Sequence, residues 1–386
     1  MLAFLDRRLL TIMFTKGISR IVFLSIPLLA FLICLLASCT ESNTTNVSNS
    51  DDNLTQLLEA SSIQSPRNKT LGTPPIRSNA AMTYDNNRQV VIMFGGSNSS
   101  NYLNDTWEYD GTHWYQVNTL TLPTSRIRHE LAYDSSRQIT VLFGGGIWES
   151  GDMSVFGDLW EYDGYEWMQI ESEEMPSPRV SFVMGYYPPE KAVFIAGGKD
   201  DGPTTTSGTN GDAWLYDGHF WPGGIHSQES RNGKLLNYYF NIPNTEMIFD
   251  TNTGKLIIVS GGGNLLEFDG SNWEYYPLDI TINEGAGRVR QQDWSLSYDQ
   301  NRDVIVLFGG LSAKAGADSF PLNDTWEYNG TQWYQVNPTN SPTPRYGHAM
   351  VYDEARQVIV LFGGIDADGN YLNDTWEYGG TTWIQR

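Results

Sequence analysis

Four arginines and two histidines are the residues best spaced for shared chemistry. Arg77, Arg126, Arg179 and Arg345 each stand seven positions before a tyrosine (Tyr84, Tyr133, Tyr186, Tyr352), and His129 and His348 each follow such an arginine by three. Brought together at the mouth of a channel, the guanidinium groups would attract an anion, and two imidazoles could offer nitrogen to a metal. Recurrence favours a structural duty instead, each guanidinium tying neighbouring units together. A second group is not repeated. Trp148, Glu149 and Asp152 lie in the glycine-rich stretch GIWESGDMSVFG, and His226, Arg231, Tyr238, Tyr239 and Phe240 lie between Pro222 and Pro243. Exposed aromatics beside polar groups suit stacking on a sugar ring or gripping a peptide; they serve equally to roof over a thin part of a core. No nucleophile–base pair, phosphate-binding glycine loop or metal cluster stands out, and no cofactor is expected.

The chain that must position these residues has 386 of them, 40% hydrophobic, with 38 glycines, 13 tryptophans, 21 tyrosines and 16 phenylalanines. That composition favours strands and turns over helices. A net charge of −21 argues against general nucleic-acid binding, which neutralises phosphates with Lys and Arg. The only cysteines, Cys34 and Cys39, sit in the N-terminal apolar region, so the rest of the chain has neither disulfides nor a thiolate metal site.

Arg7, Arg8, Lys16 and Arg20 precede the apolar run IVFLSIPLLAFLICLLA, which ends in Leu36-Ala37-Ser38-Cys39. Positive charge, an apolar stretch and small residues in that order form a secretory signal pattern. The ending resembles a bacterial lipobox, which implies that Cys39 is acylated and opens the mature chain; an uncleaved membrane anchor is the alternative. Residues 1–38 are then a signal peptide, with Met13 a more ordinary start than Met1. Residues 39–73, rich in Ser, Asn, Thr and Asp, form a lipidated, unfolded tether. The expected location is extracytoplasmic, anchored to a bacterial outer membrane or cell surface.

Beyond the tether the chain repeats. Gly-Gly doublets after an apolar run occur at Gly95, Gly144, Gly197, Gly261, Gly309 and Gly363, spaced 49, 53, 64, 48 and 54 residues apart. Pairs seven apart follow them: Trp107/Trp114, Trp160/Trp167, Trp214/Trp221, Leu266/Trp273, Trp326/Trp333 and Trp376/Trp383. Four short apolar runs per period near fifty point to a six-bladed β-propeller of four antiparallel strands per blade over residues 74–386. FGG with a following NDTWEYDG-x-x-W, seen at Phe94–Trp114 and nearly so at Phe308–Trp333 and Phe362–Trp383, resembles the kelch family. The glycine doublets suit strand ends pressed against neighbouring backbone. The Asp-x-x-Arg turns (Asp85…Arg88, Asp134…Arg137, Asp299…Arg302, Asp353…Arg356) read as solvated hairpin turns. No displaced strand is apparent, so closure is expected to rest on packing between blades one and six.

Fixed spacing marks one loop face as scaffold. On the other, the gaps from doublet to tryptophan position are 12, 16, 17, 5, 17 and 13 residues, and that variable top face is the expected binding face. The leading reading is a monomeric, non-catalytic propeller that takes a protein or glycan there. Asp366, Asp368 and Asn370 have the spacing of part of a calcium loop but read as an ordinary turn. The kelch resemblance also implies a rival, since that family includes galactose oxidase and sialic-acid epimerase-like proteins. A copper site with a Tyr–Cys crosslink lacks its cysteine here. An epimerase or lyase using Arg, His and Glu at the channel mouth is the remaining enzyme reading.

Overall fold

A computed structural model describes residues 69–199, 212–222, 245–260, 264–276, 281–282, 288–313 and 319–386. The chain divides into units Met1–Ser65 and Pro66–Arg386, and everything below concerns the second. The signal segment, Cys39, the doublet at Gly261, and Tyr238, Tyr239 and Phe240 lie outside the described residues.

Six antiparallel blades follow one another. In blade one Ala81–Asp85, Val90–Phe94, Thr106–Tyr109 and Trp114–Val117 pair in chain order. The innermost strands of blades two to six are Glu130–Asp134, Val183–Tyr187, Glu246–Asp250, Ser295–Asp299 and Ala349–Asp353. Second strands such as Val90–Phe94, Ala192–Ala196 and Val304–Phe308 are buried at every residue. Packing between two neighbouring blades requires apolar side chains on both faces of a strand, which is why these runs do not alternate.

Three features depart from the sequence reading. Lys69–Gly72, placed there in the tether, forms a fifth, outermost strand of blade one, antiparallel to Trp114–Val117. In blade three Phe220 rather than Trp221 stands opposite the tyrosine, Tyr216, because the preceding turn is one residue shorter; its ring meets Phe143 of blade two as Trp167 meets Phe94 of blade one. In the Asp-x-x-Arg turns the aspartates are buried and the arginines half-buried, rather than solvated. Arg88 binds Asp85 and reaches Glu108 at 2.5 Å, with its guanidinium 5.5 Å from the Tyr162 ring of the next blade. Arg137, Arg302 and Arg356 repeat this with Glu161, Glu327 and Glu377.

This network explains the TWEY run. Its glutamate accepts the tyrosine hydroxyl of the following blade, Tyr162 on Glu108 at 2.7 Å and Tyr378 on Glu327 at 3.0 Å. Its threonine accepts the following blade's indole, Trp167 on Thr106 at 2.8 Å and Trp383 on Thr325 at 3.0 Å. The ring closes with the same code: Tyr109 donates to Glu377 at 3.0 Å and Trp114 to Thr375 at 2.9 Å. Backbone adds to it, Arg77 N–H donating to Leu372 O and Gly364 N–H to Arg77 O, each at 2.9 Å.

Blades three and four meet differently. Blade three carries Tyr187 and Leu215 where others have the turn aspartate and the glutamate, and blade four carries Phe249 and Phe268 where others have tyrosines. All four join one apolar cluster, with Tyr187 5.8 Å from Phe249 and 6.4 Å from Phe268. Phe268 brings no hydroxyl and Leu215 no carboxylate, so at this pair donor and acceptor were lost together.

Candidate functional site

The four repeated arginines are 0–1% exposed and do not open onto the channel. Each guanidinium forks onto an aspartate of its own blade: Arg77 on Asp105, Arg126 on Asp158, Arg179 on Asp212 and Arg345 on Asp374, at 2.6–3.0 Å. Each also donates to the carbonyl of the first doublet glycine, as Arg126 does to Gly144 O at 2.9 Å. The backbone of the same arginine serves the preceding blade, where the second doublet glycine donates to it: Gly96 to Arg126 O and Gly145 to Arg179 O, both at 2.9 Å. A Cβ on Gly95 or Gly144 would lie 2.9 or 2.7 Å from that carbonyl oxygen, and both glycines have positive φ, so no other residue fits. These arginines are blade-to-blade ties, and the anion-attracting ring is not formed.

His129 and His348 do line the channel, but as wedges. Each ring sits edge-on, 5.5 Å from the phenylalanine of the preceding blade's doublet (Phe94 and Phe308), and Phe182 meets Phe143 in the same way. His129 is 3% exposed, and its Nε2 lies 3.1 Å from Phe94 O. A carbonyl can only accept, so Nε2 carries the proton and Nδ1 is a bare acceptor. Burial, with Arg126 nearby, pushes His129 down to about 3, leaving it neutral. No metal-binding cluster occurs among the described residues.

The residues that do surround the channel mouth were not marked by the sequence. Two positions beyond the repeated arginine, Asn79, Arg128, Ser181 and Gly347 all have φ of 54–64°, as does Asp293 in blade five. For the four with side chains, this left-handed backbone costs on the order of 1 kcal/mol each. The residue type differs in each of the five described blades, in a repeat that otherwise holds its types. Comparing repeats at that position would have found them, because a site that varies while its backbone is fixed is presenting side chains.

Beneath this ring lies a cavity of about 300 Å³ walled by the first residues of all six innermost strands. Arg128 approaches Ser181 Oγ at 3.4 Å at its rim. Deeper, Glu130 of blade two and Glu246 of blade four both face the space. Burial raises the Glu130 carboxyl well above its ordinary range, and the charge of Glu246 adds to this. Burial likewise pushes Glu246 up to about 8, against the Leu296 amide, which donates to it at 3.1 Å, and the Ser295 hydroxyl. Asp293 is raised by burial and partly held down by Arg128. Burial thus favours the protonated form of these acids, beside one fixed cation.

Around the mouth stand two structures that the sequence reading missed. Gly146–Glu149 and Asp152–Val155 form a two-stranded arm on blade two that carries Trp148, Glu149 and Asp152. The arm is braced by Tyr102, whose hydroxyl accepts the Trp148 N–H at 3.0 Å, and Trp148 is 37% exposed. Blade five bears a second small sheet of Thr281–Ile282, Arg288–Gln292, Leu311–Ala313 and Phe320–Pro321, which leads directly into Asp293. Asp366 accepts the amides of Asp368 and Asn370 at 2.9 Å, closing its own turn.

Fold and site together define a six-bladed β-propeller with an acidic central cavity. Among solved structures the chain is similar to that of YjhT, with a TM-score of 0.57 and 14% identity over 83% of this chain and 99% of that one. No protein-family model and no curated protein matches the sequence.

Proposed function

We propose that this protein is a membrane-anchored, extracytoplasmic propeller of the kelch type that binds a glycan at its channel mouth. The observation that supports this reading most is the ring Asn79, Arg128, Ser181, Asp293 and Gly347, in which one left-handed backbone position carries a different residue in each of five described blades. Strain of that kind persists where a site needs the geometry. The Trp148 arm adds an aromatic face beside the ring, suited to stacking on a pyranose. Anchoring rests on the lipobox-like sequence before Cys39. A glycan array with the full chain should give hits that Arg128→Ala weakens about tenfold, the scale of one charged hydrogen bond. Hits indifferent to both Arg128→Ala and Trp148→Ala would refute the choice of face. Acyl mass on Cys39 tests the anchor.

One observation favours a second reading, a carbohydrate epimerase or lyase. Glu246 retains its proton near neutral pH, as a general acid in a cavity should. Under this reading sugar turnover is abolished by Glu246→Gln while binding is kept.

A further inference from the structure

The polar groups inside the cavity are unbalanced. Three carboxyls, Glu130, Glu246 and Asp293, face one guanidinium, Arg128, among the described lining residues. Asp293 and Arg128 act on each other at the rim. That leaves Glu130 and Glu246 with no cation. Glu130 has no hydrogen-bond partner among the described residues, and Glu246 has only the Leu296 amide and the Ser295 hydroxyl. A third acceptor belongs to the same wall: His129 Nδ1 is buried without a partner, because the ring's one proton is committed to Phe94 O. The other titratable groups lining the space are His348 and Tyr298. Tyr298 spends its hydroxyl on Asp250 and Asp303, at 2.8 and 2.7 Å. Two carboxyls without a cation and a buried ring nitrogen without a donor are unfavourable for the protein alone. They are the complement of a ligand rich in N–H donors and carrying positive charge.

We infer that the cavity selects sugars bearing a protonated amine, seated at the level of Glu130 and Glu246 with its hydroxyls toward the Arg128–Asp293 rim. This rests on the glycan reading above and specifies its ligand class. In the empty cavity burial favours the protonated form of both carboxyls. When an ammonium group enters, its charge replaces that of a proton, one carboxylic acid ionises, and the released proton passes to solvent. Binding is therefore linked to proton release.

The test uses the full chain and three pyranoses that differ only at C6: 6-amino-6-deoxyglucose, glucose and glucuronate. Calorimetry at pH 6.5 in two buffers of different ionisation enthalpy reads affinity and proton exchange together. The amino sugar is expected to bind at least tenfold tighter than glucose and to release a fraction of a proton approaching one, whereas glucose releases none. Glu246→Gln and Glu130→Gln, which keep shape and neutral hydrogen bonding, are each expected to reduce the ratio of amino-sugar to glucose affinity severalfold. Glucose or glucuronate bound as tightly as the amino sugar, or amine binding with no proton released, would overturn the inference while leaving glycan binding intact. Failure of all three sugars to bind would overturn both.

Discussion

The arginine–aspartate forks are the residues on which the ring most depends. Arg126→Gln would strand Asp158 beside the Trp160 indole, with Gly144 O losing its donor. Breaking a buried pair from one side costs about 3–5 kcal/mol, so the urea midpoint should fall well below that of an exposed substitution. Acid should act at the same place. Burial works to raise Asp158, Asp212 and Asp374, but the hydrogen bonds and charge of Arg126, Arg179 and Arg345 win, and all three titrate low. Their contribution is full above the unfolded value, about 3.9, and is lost as pH falls through the folded values. Glu246 has the opposite sign. Its raised folded value makes its contribution full below the unfolded value, about 4.3, and lost as pH rises toward about 8. Glu246→Gln mimics the protonated acid, so the stability of the variant relative to wild type should grow between pH 5 and pH 8 in urea titrations.

At the scale of elements, the interface of blades three and four offers a sharper test than any single residue. Phe268→Tyr alone buries a hydroxyl among Leu215 and its apolar neighbours and should cost about 1–3 kcal/mol. Adding Leu215→Glu supplies the acceptor that Glu108, Glu161, Glu327 and Glu377 provide at four other blade interfaces, so a double-mutant cycle should show favourable coupling; additive losses would mean that the TWEY latch is not the unit of blade pairing. The blades themselves were legible because each strand's burial follows from apolar runs, and each turn from Gly, Asp and Asn at fixed spacing. The function of the repeated arginines was legible only as a preference, since spacing shows recurrence but not which way a side chain turns. The Asp-x-x-Arg turns misled for a related reason: charged residues in a hairpin are usually solvated, and their burial depends on Glu108 or its equivalents some twenty residues away. The αL ring was hidden because Asn, Arg, Ser, Asp and Gly share no sequence signal; only their common backbone unites them.

At the scale of the whole molecule, one face is code and the other is text. The hairpin turns and TWEY latches repeat from blade to blade and fix the ring, while the mouth, the Trp148 arm and the second sheet on blade five differ. Closure without a shared blade follows from this, because blades one and six use the same latch as their fellows, and Lys69–Gly72 covers an outer edge rather than completing a blade. The ligand should therefore contact the starts of the innermost strands and leave the opposite face untouched. Hydrogen–deuterium exchange of the full chain, with and without a sugar identified on the array, measures this directly. Slowed exchange at 79–82, 128–131, 245–248 and 293–296 is expected. Protection confined to the hairpins around Arg88, Arg137, Arg302 and Arg356, or to the outer strands, would contradict a binding site at the channel mouth.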